Sequence, residues 1–160
     1  MSKFDISSLS ELVTRTLSPV ERQLRAAVID AMTTNETLWF RDDYPFKLLK
    51  RQLLPDFENQ RTPVKIWSAA SSSGQEPYSL SMTLSEFNRQ RLGRLPLNSR
   101  IVATDISSEI LASAKAGLYD RLSIARGLSQ ERLQTFFAST SDGHWQINAS
   151  VRQCVEFKPL

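Results

Sequence analysis

Two acidic side chains stand where a parallel sheet would bring ligand-binding groups together. Asp105 ends the predicted strand at residues 100–105, and Glu76 follows a loop of small residues at 68–74. In open α/β sheets, ligands bind beyond the carboxyl ends of the strands. A carboxylate there can accept hydrogen bonds from both hydroxyls of a ribose, and Glu76 could meet a cationic or hydroxylated group. An ordinary strand-to-helix turn, with Glu76 as a helix acid favoured by the dipole, explains the same residues equally well.

The loop contains one glycine, Gly74, directly after three serines. Its small residues would let a ligand approach the backbone, and it leads into the N-terminus of a helix. The spacing G-x-G-x-x-G of a dinucleotide site does not occur here. The loop therefore gives little support to a dinucleotide as the ligand.

A second candidate lies further towards the N-terminus. Asn35, Thr37 and Arg41 are polar residues around the hydrophobic run 38–40. Thr37 and Arg41 are four residues apart and could share one face of a helix. Composition alone favours a simpler interpretation, a helix cap followed by an exposed arginine.

The elements that would position these residues follow from hydrophobic periodicity and from caps. Strand–helix–strand–helix order predicts a parallel α/β sheet with right-handed crossovers. Two strands and a possible third are few for a doubly wound sheet, so the pattern is that of the first half of one. The expected elements are a helix from a capping box at 18–21 to Met32, a helix at about 44–54 stopped by Pro55, a strand at 64–67, a helix from 75 ended by Gly93, a strand at 100–105, a helix from 107–109 to 116–117, a helix at 129–138, and two strands, 144–147 and 153–157, around a loop.

Composition narrows the class of protein. The chain has 160 residues, of which 41% are hydrophobic and 23% charged, as in a soluble globular protein. It has neither an apolar run long enough to span a membrane nor a signal peptide. A single cysteine, Cys154, cannot form an internal disulfide. Together these features favour the cytoplasm as the location of the protein. A net charge of +3 without a dense basic run argues against nucleic-acid binding. The lone His144 has no neighbouring metal-ligand set, so no metal site is expected.

Five ordered segments carry the pattern of a known family. They are T-T-N-E-T-L-W-F-R-D at 33–42, I-W-S-A-A-S-S-S-G-Q-E-P-Y-S at 66–79, A-T-D-I-S at 103–107, A-K-A-G-L-Y at 114–119 and R-G-L-S at 126–129. Together they closely resemble the CheR-type chemotaxis receptor methyltransferases, over about residues 20–160. The resemblance implies a Rossmann-like domain that transfers a methyl group from S-adenosylmethionine to glutamate side chains of chemoreceptors. The second product would be S-adenosylhomocysteine.

The resemblance also implies roles for five residues. Asn35, Thr37, Arg41, Glu76 and Asp105 would bind the cofactor. Asp105 would hold the ribose, Glu76 would neighbour the methionine ammonium, and Arg41 would orient the incoming carboxylate as the catalytic residue. An ionised carboxylate is already a nucleophile and a sulfonium is already an electrophile. No general base is then needed, and catalysis would be alignment and desolvation.

Relative to the family pattern, the chain divides into two expected parts. Residues 1–57 would be a short helical segment, the remnant of a receptor-docking domain. Residues 58–160 would be a partial methyltransferase domain with a small β-hairpin insertion at about 137–156. The family's further sheet strands, adenine contacts and a tyrosine near the substrate would lie beyond Leu160. The chain alone is therefore expected to be inactive and to self-associate through an open sheet edge, and the alternative function is an inactive module that binds a receptor or another partner.

Overall fold

The computed structural model describes residues 4–58, 63–91, 95 and 98–160. Within these ranges, none of the helices combines the length and the apolar character that crossing a membrane requires. The helical elements are α1 (Leu9–Leu17), α2 (Arg22–Met32), α3 (Tyr44–Leu48), a π-helical turn (Leu49–Leu53), α4 (Leu54–Glu58), α5 (Gln75–Gln90), α6 (Ser108–Ala116), α7 (Arg121–Ala125), α8 (Gln130–Phe136) and α9 (Ala149–Arg152). The strands are β1 (Lys65–Ala69), β2 (Arg100–Asp105), β3 (Leu118–Tyr119), β4 (Phe137–Ser139), β5 (Trp145–Ile147) and β6 (Val155–Pro159).

The first predicted helix begins later than the sequence predicts, and another helix, α1, precedes it. Ser8 caps α1 by accepting a hydrogen bond from the Glu11 amide (3.1 Å), and Ser18 is the C-cap of that helix. The predicted capping box at 18–21 is therefore wrong. The carboxylate of Glu21 is bound to Arg15 at 2.9 Å, so it does not cap α2, which begins only at Arg22.

The second predicted helix is longer than expected because Pro55 does not stop it. The chain continues from α3 through the π-helical turn into α4, with Pro55 at the second position of α4. A proline inside a regular α-helix clashes with the preceding turn and lacks one N–H. The wider π turn immediately before Pro55 accommodates both defects, and Leu54 stays fully buried.

The larger sheet has three parallel strands in the order β1-β2-β6. The predicted strand and helix from 100 to 117 are confirmed, with Ser107 as N-cap and Gly117 as a left-handed C-cap. Strand β1 extends through Ala69, which takes two residues from the predicted loop. Helix α5 ends at Gln90, and the predicted terminator Gly93 lies outside the described residues.

Helices α5 and α6 cover the same face of this sheet. The Tyr78 hydroxyl of α5 donates to the Ala114 carbonyl of α6 (2.8 Å), and both residues are buried in one cluster with Ala103 and Phe157. This is the result of two right-handed crossovers in the same direction. On the opposite face, Trp67 is 67% exposed. Trp67 therefore lies outside the core, although it stands in a short strand of the larger sheet.

A smaller antiparallel sheet, in the order β3-β5-β4, stands beside the larger one. The two last predicted strands do not pair with each other, because β5 pairs with β3 and β4 whereas β6 joins the larger sheet. The predicted helix at 129–138 ends at Phe136, and the next three residues form β4. The hairpin thus spans Phe137–Ile147, and residues 155–156 of the expected insertion belong to β6. The division at residue 57 stays a prediction.

Trp39 joins the N-terminal segment to the smaller sheet. Its ring is 1% exposed and makes edge-to-face contacts with Tyr119 (4.9 Å between centroids) and Phe137 (5.3 Å). Its indole N–H donates to the Ser123 carbonyl at 3.0 Å. These contacts position the following turn, which contains Arg41.

Candidate active site

Asp105 organises the loop at the carboxyl end of the larger sheet. Its carboxylate is 6% exposed and accepts hydrogen bonds from the backbone amides of Ser72 (2.8 Å) and Ser107 (3.0 Å). Each carboxylate oxygen accepts one of these bonds and keeps a further lone pair. Asp105 therefore holds the loop after β1 to the start of α6, and it can still accept hydrogen bonds from a ligand.

The loop after β1 has a backbone that few side chains tolerate. Ala70 and Ser72 have φ values of +53° and +48°, and Gly74 has +95°. Left-handed backbone at non-glycine residues persists only where the surroundings hold it. Here the Ser71 amide donates to the Thr104 carbonyl at 2.9 Å. The Ser71 hydroxyl is buried and has no hydrogen-bond partner among the described residues.

Glu76 lies in the first turn of α5, on the same edge of the sheet. Its side chain is exposed and accepts a hydrogen bond from the Ser68 hydroxyl at 2.7 Å. Gly74 precedes the helix in a space where an added Cβ would lie 3.1–3.2 Å from Tyr119, Tyr78 and Ala114. The tight packing behind Gly74 turns the start of α5 towards the carboxyl edge, where Glu76 is free to meet a ligand.

The segment before Arg41 crosses this edge. The Asn35 carbonyl accepts a hydrogen bond from the Ser72 hydroxyl at 2.9 Å. Thr37 follows on the same segment and is half-buried. The structure thus brings Asn35 and Asp105 together through one residue, because Ser72 binds Asp105 with its amide and Asn35 with its hydroxyl.

Arg41 lies in a tight turn next to α5. Phe40, Asp42 and Asp43 all have positive φ, at +51°, +61° and +44°. The Phe40 amide donates to the hydroxyl of Ser79, one turn beyond Glu76 on α5 (3.0 Å). The Arg41 side chain itself is exposed, and no hydrogen bond or ion pair in the described part of the chain joins it to the other four candidates.

Sequence reasoning missed the residues that hold the candidates in place. Ser72, Ser79 and Tyr119 fix the loop, the turn and the start of α5; the Tyr119 hydroxyl donates to the Ser73 carbonyl at 2.8 Å. Burial raises the pKa of Tyr119 well above its usual value, so this hydroxyl stays a donor. The run of serines was a visible signal for Ser72, whereas nothing local distinguishes Tyr119 or Ser79.

The described residues contain no cluster of three or more His, Cys, Asp or Glu side chains that could hold a metal ion. The groups at this edge are carboxylates, hydroxyls and backbone amides, and the turn with Arg41 is joined to the same helix α5 through Ser79. Such groups suit a polar organic ligand with hydroxyls and a positive charge.

Comparison with known proteins decides the family. The sequence model described as "CheR methyltransferase, SAM binding domain" matches residues 35–160, most of the chain. The chain belongs to the CheR methyltransferase family. Every element that carries the candidate residues lies within the matched range.

Individual CheR proteins agree with this assignment. The chain is 51% identical to chemotaxis protein methyltransferase Cher2 of Pseudomonas putida over 160 residues, which are 99% of this chain and 58% of that protein. It is 51% identical to chemotaxis protein methyltransferase 1 of Vibrio cholerae over 159 residues, with the same coverage. The Escherichia coli chemotaxis protein methyltransferase is 34% identical over 138 residues, 84% of this chain and 45% of that protein. The chain thus spans somewhat more than half the length of the first two CheR relatives.

Proposed function

We propose that the chain is the cofactor-binding part of a chemotaxis receptor glutamate O-methyltransferase. The whole enzyme would transfer the methyl group of S-adenosylmethionine to glutamate side chains on the cytoplasmic helices of chemoreceptors. The products would be a glutamyl methyl ester, which serves sensory adaptation, and S-adenosylhomocysteine. The proposed site of action is the cytoplasm, where those receptor helices lie.

One observation carries this proposal. Ser72 links Asp105 at the end of β2 to Asn35 in the segment before Arg41, so that the separate family motifs meet at one edge of the sheet. That edge is where open α/β sheets bind their ligands.

The groups present fit S-adenosylmethionine. Asp105 keeps lone pairs for the ribose hydroxyls, and the exposed Glu76 offers its negative charge to the methionine ammonium. The partnerless Ser71 hydroxyl lies in the same loop and can bond a polar group of the ligand. Asn35 and Thr37 would close the crevice from the N-terminal side. When bound, the cofactor supplies an electrophilic methyl group on a sulfonium.

Arg41 is the proposed catalytic residue. Its planar guanidinium can bind both oxygens of a substrate carboxylate and direct one of them at the methyl group. The attack needs no general base, because the glutamate is already ionised near neutral pH. The protein would then act by holding the two reactants in line and by excluding water.

The experiment uses a chimera in which this chain replaces the matched region of the Pseudomonas putida relative. We expect the chimera to methylate a purified chemoreceptor. Arg41→Lys should lower methyl transfer about 10- to 100-fold, since it removes a hydrogen bond to a charged group. The affinity for S-adenosylhomocysteine, measured by calorimetry, should change much less. Arg89→Lys, the same change at an exposed arginine near the end of α5, is the control.

The results separate the possible roles of Arg41. Equal losses in rate and affinity would mean that Arg41 only holds the cofactor. No loss in either would mean that it is a surface arginine. A wild-type chimera that binds the receptor but never methylates it would favour the alternative function, a non-catalytic binding module.

We also propose that the isolated 160-residue chain self-associates and is inactive. The exposed ring of Trp67 on the open face of the sheet supports this, because exposed apolar faces and unpaired strand edges promote association. Light scattering after size-exclusion chromatography, with a methyl-transfer assay, tests it. A monomeric, active preparation would refute it.

A further inference from the structure

The turn that carries Arg41 has an unfavourable backbone. Phe40 and Asp42, the two neighbours of Arg41, both have positive φ, and so does Asp43. Such conformations are costly for residues other than glycine and persist only when the surroundings over-determine them. Something must therefore hold the turn against relaxation to ordinary backbone angles.

Part of the restraint comes from α5. The Phe40 amide donates to the Ser79 hydroxyl, which in turn donates to the Gln75 carbonyl at 2.6 Å. Ser79 is fully buried and Phe40 is 5% exposed. The Phe40 ring also meets Phe46 edge to face at 5.1 Å. These contacts fix the backbone and one edge of the Phe40 ring.

A further restraint is a guanidinium stacked on the Phe40 ring. The Arg132 Cζ atom of α8 lies 3.5 Å from the ring centroid. Glu86 of α5 holds this guanidinium in place by accepting from Arg132 Nε (2.7 Å) and Nη2 (3.3 Å). Lys50 donates to the same carboxylate at 3.0 Å. Arg132 is thus held by the Glu86 carboxylate while its guanidinium covers one face of the Phe40 ring.

We propose that Arg132, anchored by Glu86, is a positioning residue for Arg41, an inference that rests on the proposed function of Arg41. A stacked, forked guanidinium satisfies two requirements at once, a flat face for the ring and paired donors for the carboxylate. Lysine can supply the charge but neither the flat face nor the fork. The arrangement joins α8 and α5 to the turn and holds the backbone next to Arg41.

The first test measures the turn itself in the 160-residue chain. Amide hydrogen exchange is followed at Phe40 and Asp43, whose amides donate to the Ser79 hydroxyl (3.0 Å) and to the Phe40 carbonyl (2.9 Å), and at Ala103 in the centre of β2. Arg132→Lys should raise the exchange rate of the turn amides tenfold or more while that of Ala103 changes less than twofold. Glu86→Gln, which keeps the shape of the anchor, should produce the same pattern. Arg89→Lys, which alters an arginine 5.5 Å from the Phe136 ring, is the matched control and should leave both regions unchanged.

The second test uses the chimera with the Pseudomonas putida relative. Arg132→Lys should lower kcat for methyl transfer about tenfold and leave KM for S-adenosylmethionine within twofold, because the variant misaligns Arg41 without touching the cofactor. A merely structural role would instead accelerate exchange at the turn and at Ala103 together, and this outcome overturns the proposal. Unchanged exchange at the turn overturns it as well. If the wild-type chimera has no activity, the proposed function fails, but the exchange measurements still decide whether Arg132 holds the turn.

Discussion

Replacing Asp105 by alanine should destabilise the folded chain as well as weaken cofactor binding. The carboxylate accepts from two backbone amides, those of Ser72 and Ser107, at 2.8 and 3.0 Å. Removing it leaves two buried donors without an acceptor, at about 1–3 kcal/mol each, so the expected loss is about 2–6 kcal/mol of unfolding free energy. The positive φ of Ser72 also loses its main restraint.

Urea denaturation followed by circular dichroism measures this loss. The matched control is Asp56→Ala, which removes the same charge from an exposed position on α4 and should change stability by less than about 0.5 kcal/mol. S-adenosylhomocysteine affinity must be measured under conditions where the Asp105→Ala variant is folded, since otherwise a loss of fold would imitate a loss of the ribose contact.

A loss of stability no larger than that of the control would refute the argument. It would mean that water satisfies the two amides as well as the carboxylate does. Undiminished affinity in the folded variant would refute the separate claim that Asp105 holds the ribose.

Three further changes test the packing around the site. Gly127→Ala should cost about 2–4 kcal/mol in thermal or urea unfolding, because a Cβ there would lie 2.2 Å from the Trp39 carbonyl oxygen at a φ of +98°. Ser107→Ala should cost about 1 kcal/mol by the same assay, because it removes the cap that accepts from the Ile110 amide. Burial alone would raise the pKa of Glu86, but hydrogen bonds from Arg132 and Lys50 lower it overall. The ionised Glu86 therefore stabilises the folded chain above about pH 4.5, and this stabilisation is lost as the pH falls through the folded pKa. The difference in unfolding free energy between wild type and Glu86→Gln should accordingly shrink below that pH.

The order of strands and helices in the larger sheet could be predicted because each signal was local. Ser107 and Gly117 mark the ends of α6 by their own side-chain and backbone preferences, and the centre of the predicted strand, residues 101–103, is apolar enough to require burial. The same local rules misplaced the start of α2 and the effect of Pro55. In both cases a feature outside the motif decided the outcome. The ion pair with Arg15 keeps Glu21 from capping α2, and the π-helical turn accommodates Pro55.

The candidate residues were found by family resemblance and by their place at strand ends, whereas their supports were not. Arg132 is 91 residues from Arg41 in sequence, and its stacking on Phe40 depends on the path of the whole chain. Arginines on short helices are common, so composition alone cannot single out this one. Long-range contacts of this kind need the three-dimensional arrangement.

The exposed Trp67 gives the molecule a built-in optical reporter. Trp39 is sealed in the core at 1% exposure, whereas Trp67 is 67% exposed on the open face of the sheet, with its indole N–H donating to the Thr104 hydroxyl. Its fluorescence should accordingly be red-shifted and open to quenching by iodide, while that of Trp39 is shielded. Whatever comes to cover that face, whether a second copy or the rest of a longer enzyme, would shift Trp67 emission to the blue and protect it from the quencher. Assembly on this face can therefore be followed without any attached dye.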